Sequence, residues 1–154
     1  MTHACHARGL GHGDAHDVSR DRDAGGGSGV AGDRPLSVLV ADDSAELRRA
    51  TIDLVGSHGD FVVVAEAESA DGAIAEAARH RPDIAVLDVQ MPGGGGPEAA
   101  KRIRAAAPAT IVVAHSAFDD AASRDAMERA GAIAYVVKGR DALLDVLHRL
   151  RAIA

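Results

Sequence analysis

Between residues 36 and 153, short apolar runs alternate with amphipathic stretches five times, and this alternation is the tightest constraint on what the chain can fold into. The runs at 36–41, 61–67, 83–88, 110–114 and 132–137 are dominated by Val, Ile, Leu and Ala, as strands buried on both faces are. The stretches at about 44–57, 69–80, 97–107, 119–130 and 140–153 place apolar residues at helical spacing. Local chemistry marks the helix ends. Ser44 or Asp43 can cap the first helix, and Gly59 lies just past its end. Pro82 disfavours a helical residue before it and closes the second helix. Pro97 occupies a tolerated first-turn position of the third, Pro108 ends it, and Gly131 follows the fourth as its C′ residue. Strand and helix in strict alternation imply an α/β protein with a parallel five-stranded sheet covered on both faces. Right-handed crossovers then bring every strand-to-helix loop to one edge. Aromatics are only 2% of the chain, so its core must be aliphatic.

That edge collects Asp42, Asp43, Asp88, Ser116 and Lys138, each at or just past the end of a strand. Open α/β sheets place their ligand sites there. Three carboxylates brought together repel one another, and a hard divalent cation relieves that repulsion. Mg²⁺, or Mn²⁺ in its place, suits one or two carboxylates, waters and a phosphoryl oxygen. Lys138 is one of only two lysines in the chain. Its stem can lie along the core edge while the ammonium reaches a phosphoryl group. Ser116 can donate to another phosphoryl oxygen. A carboxylate in these surroundings can attack phosphorus and form an acyl phosphate, with catalysis coming from positioning and charge neutralisation.

The pieces Val38-Leu39-Val40-Ala41-Asp42-Asp43, Ile84-Ala85-Val86-Leu87-Asp88 followed by Met91-Pro92-Gly93, Ala114-His115-Ser116-Ala117, and Tyr135-Val136-Val137-Lys138 stand in an order and spacing that resembles the response regulator receiver domain of bacterial two-component signalling. The likeness extends over residues 36–154. It implies a flavodoxin-like (βα)5 doubly wound sheet of order 2-1-3-4-5. It further implies that Asp88 accepts a phosphoryl group from the phosphohistidine of a histidine kinase or a histidine phosphotransfer protein. By the same resemblance, Asp43 and Asp88 would bind Mg²⁺, Asp42 would contribute directly or through water, and the backbone carbonyl of Gln90 would complete the set. Ser116 and Lys138 would contact the phosphoryl group, and Tyr135 would hold the aromatic switch position. Gln90, Ala117 and Phe118 would govern phosphate access and lifetime. The face formed by helix 4, strand 5 and helix 5 would bind a downstream target or a second copy. Such a protein is a cytoplasmic signalling phosphoacceptor, catalysing only its own phosphorylation and autodephosphorylation.

The chain departs from the family pattern at Gly139, where many members carry Pro, and resembles in this the subgroup often fused to helix-turn-helix output domains. Only 16 residues follow Lys138, enough for the last helix, so no output domain is expected within this chain. It is a stand-alone receiver or a fragment of a longer regulator. Taken singly, the residues have plainer readings: a helix cap for Asp42-Asp43, a turn for Ser116, a solvated strand end for Lys138, a half-buried strand position for Tyr135 and a mobile loop for residues 93–96. A phosphorylation-independent interaction module is the alternative function. A flavodoxin-like cofactor binder is disfavoured because the first loop is acidic where phosphate cradles are Gly-, Ser- or Thr-rich. A Mg²⁺-dependent phosphohydrolase is a minor option.

A net charge of −6 argues against a direct nucleic-acid surface or an anionic membrane surface. No apolar run approaches the roughly 20 residues of a membrane span. The single Cys5 cannot form an internal disulfide and fits a reducing compartment. Residues 1–35, rich in Gly, His, Asp and Arg, lack apolar periodicity and read as a disordered tail. His3, Cys5, His6, His12, Asp14, His16 and Asp17 within it are possible metal ligands, but their spacing fits no closed zinc motif.

Overall fold

The computed structural model describes residues 33–154. It contains β1 (Leu36–Ala41), α1 (Ala45–Gly56), β2 (Phe61–Ala67), α2 (Ala70–His80), β3 (Ile84–Leu87), α3 (Gly95–Ala106), β4 (Ile111–Ser116), α4 (Ala121–Ala130), β5 (Ala134–Val137) and α5 (Leu143–Ile153). Of the tail expected to be disordered, residues 1–35, residues 1–32 and the metal ligands suggested within them lie outside the described residues, while Arg34 is hydrogen-bonded to Asp83. The strands form one parallel sheet of order β2-β1-β3-β4-β5, the flavodoxin-like arrangement expected. No helix among the described residues is long and apolar enough to cross a membrane.

Period-two alternation along the strands divides the core between the two faces. Leu39, Ala41, Ala85, Leu87, Val112 and Ala114 face α2, α3 and α4, where Ala70, Ala73, Ala77, Ala99, Ala100, Ile103 and Met127 meet them. Val38, Val40, Ile84, Val86, Val113 and Val136 face α1 and α5, which contribute Val55, Leu143, Leu147 and Leu150. Alanine on α2 and α3 lets those helices approach closely, so an almost aromatic-free chain still packs without large side chains. β2 is an edge strand whose pairing with β1 slips between Val38 and Leu39. Val38 opposes Val63 and Leu39 opposes Ala65, leaving Val64 without an opposite residue.

Three helix starts differ from the sequence reading by two residues or more; α4 begins at Ala121 rather than Asp119, because Asp120 is its cap and accepts from Ser123 N. α3 begins at Gly95, two residues before Pro97. Gly95 has φ +70°, and a Cβ there would lie 2.4 Å from Val89 O. Gly96 N donates to Val89 O at 2.9 Å, and a Cβ on Gly96 would lie 2.7 Å from Asp88 O. The glycines are there because the helix end is pressed onto the backbone after β3, where no side chain fits. Helix propensity alone reads the same residues as loop. α5 begins at Leu143 rather than Arg140 because Arg140 and Asp141 form a turn. Both of their N–H groups donate to Val137 O, and the Asp141 carboxylate accepts from Val137 N at 2.9 Å.

At the opposite edge of the sheet, Asp83 ties the start of β3 to the start of β1. Its carboxylate accepts from Arg34 Nη1 and Nη2 at 2.8 and 2.9 Å, and from Ser37 N and Oγ at 2.8 and 3.0 Å. The Arg34 hydrogen bond, with help from Ser37, holds this carboxyl at about 2, well below the ordinary range. A carboxyl whose pKa is depressed on folding adds stability above its unfolded pKa of about 3.9 and loses it as pH falls through the folded value. Asp83→Asn should therefore cost about 1 kcal/mol at neutral pH, mainly through weakened bonds to Ser37. In thermal melts at several pH values, the gap between wild type and variant should close as pH falls from about 5 to about 2. A gap that stays constant across that range would show that Asp83's charge contributes nothing.

Candidate functional site

The C-terminal edge of the sheet brings Asp42, Asp43, Asp88, Gln90, Ala117, Phe118 and Lys138, with Leu47, into one cleft of about 180 Å³, whereas Ser116 and Tyr135 do not line it. Asp42 leaves the end of β1 with its N–H bonded to Ala67 O of β2, and Asp88 leaves β3 with its N–H bonded to Ala41 O of β1. Backbone pairing of three adjacent strands thus fixes where the two carboxylates emerge. Both are buried, whereas Asp43 is exposed.

Ser44, not Asp43, caps α1, accepting from Leu47 N at 3.3 Å. Asp42 Oδ1 accepts from Ser44 N at 2.9 Å and its carbonyl accepts from Arg48 Nη1 at 2.8 Å. The cap reading of the acidic pair is therefore not the one adopted, and Asp43 keeps its carboxylate for the cleft. One carboxylate oxygen from each of Asp42, Asp43 and Asp88 lies within 4.8 Å of the others. Among the described residues this is the only group of three or more His, Cys, Asp or Glu side chains that converges so closely.

Lys138 closes the cleft from the end of β5. Its Nζ lies 2.6 Å from Asp42 Oδ2 and 3.6 Å from Asp88 Oδ2, and its side chain is 13% exposed. One ammonium therefore faces two buried carboxylates. Burial pushes the Asp88 carboxyl up to about 6; Lys138 opposes the shift and Asp42 adds to it. A weak bond from Gln90 N at 3.4 Å reaches Asp88 Oδ1. The donor set is oxygen throughout, and its negative charge exceeds what one lysine offsets, which fits a hard divalent cation better than a soft one.

Ser116 ends β4, is buried, and its Oγ accepts from Phe118 N at 3.1 Å. Ala117 and Phe118 are exposed at the rim. Tyr135 is half-buried in β5 and donates its hydroxyl to Phe118 O at 2.7 Å. Tyr135 thus touches the loop after Ser116 rather than the carboxylates. Two features went unseen in the sequence. His115 lines a second, more apolar groove of about 390 Å³ between α1 and the β5–α5 loop. Burial, with the Lys138 charge, lowers its imidazole to about 4, so it is neutral at pH 7. Arg124 and Arg140 converge on Asp119. No local sequence signal pairs Arg140 with a carboxylate 21 residues earlier.

Residues 38–148 match the family model described as the response regulator receiver domain. The chain is similar to protein-glutamate methylesterase/protein-glutamine glutaminase 4 of Myxococcus xanthus, 37% identical over 105 residues, which cover 68% of this chain and 30% of that protein. It is similar also to the DNA-binding transcriptional activator DevR/DosR of Mycobacterium tuberculosis, 38% identical over 104 residues, covering 67% of this chain and 48% of the relative. The chain thus spans half or less of the length of these curated relatives. Among solved structures, the signal receiver domain of the putative response regulator NarL from Mycobacterium tuberculosis superposes with a TM-score of 0.73 at 26% identity, covering 77% of this chain and 98% of that one.

Proposed function

Because the chain belongs to the response regulator receiver family, we propose that it is the phosphoryl-accepting switch of a two-component phosphorelay, with Asp88 as the acceptor. The observation that carries this reading is Lys138, whose ammonium bridges the buried Asp42 and Asp88 at 2.6 and 3.6 Å beside the exposed Asp43.

In the proposed reaction an oxygen of the Asp88 carboxylate attacks the phosphorus of a phosphohistidine on a histidine kinase or histidine phosphotransfer protein. The Asp88 O–P bond forms as the histidine N–P bond breaks, and the released imidazole nitrogen takes up a proton. Asp43, Asp88 and the Gln90 carbonyl would hold Mg²⁺, with Asp42 binding directly or through water. The ion supplies charge neutralisation on the transferring oxygens. Lys138 turns from its carboxylate partners to a phosphoryl oxygen, and the Ser116 hydroxyl donates to another. Ala117 leaves the approach to Asp88 open, while Gln90 and Phe118 flank the water path that sets phosphate lifetime.

The product adds about −1.5 to −2 charge at the sheet edge. That charge draws Ser116 inward, frees Tyr135 from Phe118 O and biases the α4–β5–α5 face between two packings, changing its fit to a downstream protein or a second copy.

The test is intact-protein mass after incubation with acetyl phosphate. One phosphoryl group should be gained with Mg²⁺ present and none after chelation with EDTA. No gain under either condition would leave the phosphorylation-independent interaction module as the better reading.

A further inference from the structure

The β4–α4 loop, residues 117–120, is tied down by groups that the chemistry of the cleft does not use. Tyr135 holds Phe118 O from β5. The Arg124 guanidinium lies over the Tyr135 ring, 4.5 Å from its centroid, and donates Nε to Asp119 Oδ1. Arg140 reaches across from the β5–α5 loop and donates Nη1 to Asp119 Oδ2. Its Nε and Nη2 span the Asp141 carboxylate at 3.2 and 3.3 Å, and Asp141 is anchored to Val137 N. Bonds therefore run without a break from the end of β5, beside Lys138, to the loop that follows Ser116.

We propose that Arg140 is a positioning residue: through Asp119 it latches the β4–α4 loop to the β5–α5 loop, and so sets how readily Ser116 moves toward a phosphoryl group on Asp88. The proposal rests on the reading of Asp88 as acceptor. Ser116 opens one of the two joined loops and Lys138 the other, so the latch spans the site. Asp119 takes guanidinium donors from two separate elements, α4 and the β5–α5 loop. A shift of residues 117–120 toward Asp88 must lengthen at least one of those bonds. The Arg140 guanidinium serves the Asp119 and Asp141 carboxylates through separate nitrogens of one planar fork, which fixes their relative orientation more tightly than a freely rotating ammonium would. The side chains of Arg124, Asp119 and Arg140 are 39%, 38% and 53% exposed. Their bonds are thus open to screening by salt, and weak enough for a phosphoryl charge to overcome. The latch tunes the switch rather than blocking it.

The experiment uses the full chain and two NMR readouts. The first is hydrogen exchange of the Phe118 N–H in unphosphorylated protein, since that group is bonded to Ser116 Oγ. The second is the concentration of beryllofluoride, with Mg²⁺, that half-converts the Ser116 and Tyr135 amides; beryllofluoride stands in for an aspartyl phosphate. Arg140→Ala should speed Phe118 exchange about 3- to 10-fold and lower the half-conversion concentration about 3-fold, as expected for a weak surface network. Arg140→Lys should fall in between. Raising NaCl from about 0.05 M to about 0.5 M should move wild type toward Arg140→Ala and move that variant less, because only the Arg124–Asp119 pair is then left to screen. Unchanged exchange and half-conversion in Arg140→Ala overturn the latch. Faster exchange without any beryllofluoride response would keep the latch and remove the acceptor reading. A normal beryllofluoride response with unaltered exchange would do the reverse.

Discussion

Asp88→Asn is expected to lose phosphoryl uptake from acetyl phosphate entirely, a fall of more than about 100-fold measured by intact mass. The carboxamide nitrogen is not nucleophilic, and the carboxamide oxygen carries no full charge to attack phosphorus. The variant should not fail for want of a fold. Its amide is nearly isosteric, and it removes one of three carboxylates whose oxygens lie within 4.8 Å of one another. In Mg²⁺-free buffer its melting temperature should match or exceed wild type by a few degrees, because like-charge repulsion at the edge is relieved. Folded protein without uptake would isolate the acceptor. Persistent labelling that maps by peptide mass to Asp42 or Asp43 would move the acceptor to that residue instead.

Lys138→Ala carries the second large effect, and on a different quantity. In the absence of metal, Lys138 is the cation shared by Asp42 and Asp88, both buried. Removing one partner of a buried ion pair leaves charge uncompensated, at a cost of about 3 kcal/mol. For a domain of this size that is roughly 10 °C of melting temperature. Mg²⁺ should restore part of the loss, so its stabilising increment should be larger in Lys138→Ala than in wild type. Labelling should remain possible but slower, and the response of the α4–β5–α5 face weaker. Equal stability of the two proteins without Mg²⁺ would make Lys138 a solvated strand end.

The fold was legible because its signal is redundant. Each strand is an apolar run with a helix signature behind it, and β1, β2 and α2 fall within a residue or so of where the pattern puts them. The site was legible for the same reason: Asp42, Asp88, Ser116 and Lys138 sit where backbone pairing ends, so strand boundaries alone aim them at one edge. What escaped was set by tertiary contact. The first turn of α3 carries Gly95 and Gly96 because the Val89 and Asp88 carbonyls lie where their side chains would be. Arg140 looked like the first residue of a helix, yet its guanidinium engages Asp119, 21 residues earlier. His115 fills a strand position, and nothing in its neighbours announces the groove beside it. Periodicity carries elements, whereas charge pairing between loops has no period to read.

The slipped register at the sheet margin has a consequence for behaviour in a crowded solution. Val62, Val63 and Val64 form an apolar run on an outer strand, with Val62 and Val64 exposed, the kind of segment along which proteins stack into fibres. Val64 has no opposite residue in β1, and an extra residue of this kind bends a strand and disrupts the even ladder an incoming strand would need. The irregularity works as a guard against polymerisation, letting the chain keep a greasy border strand without inviting a neighbour to extend it.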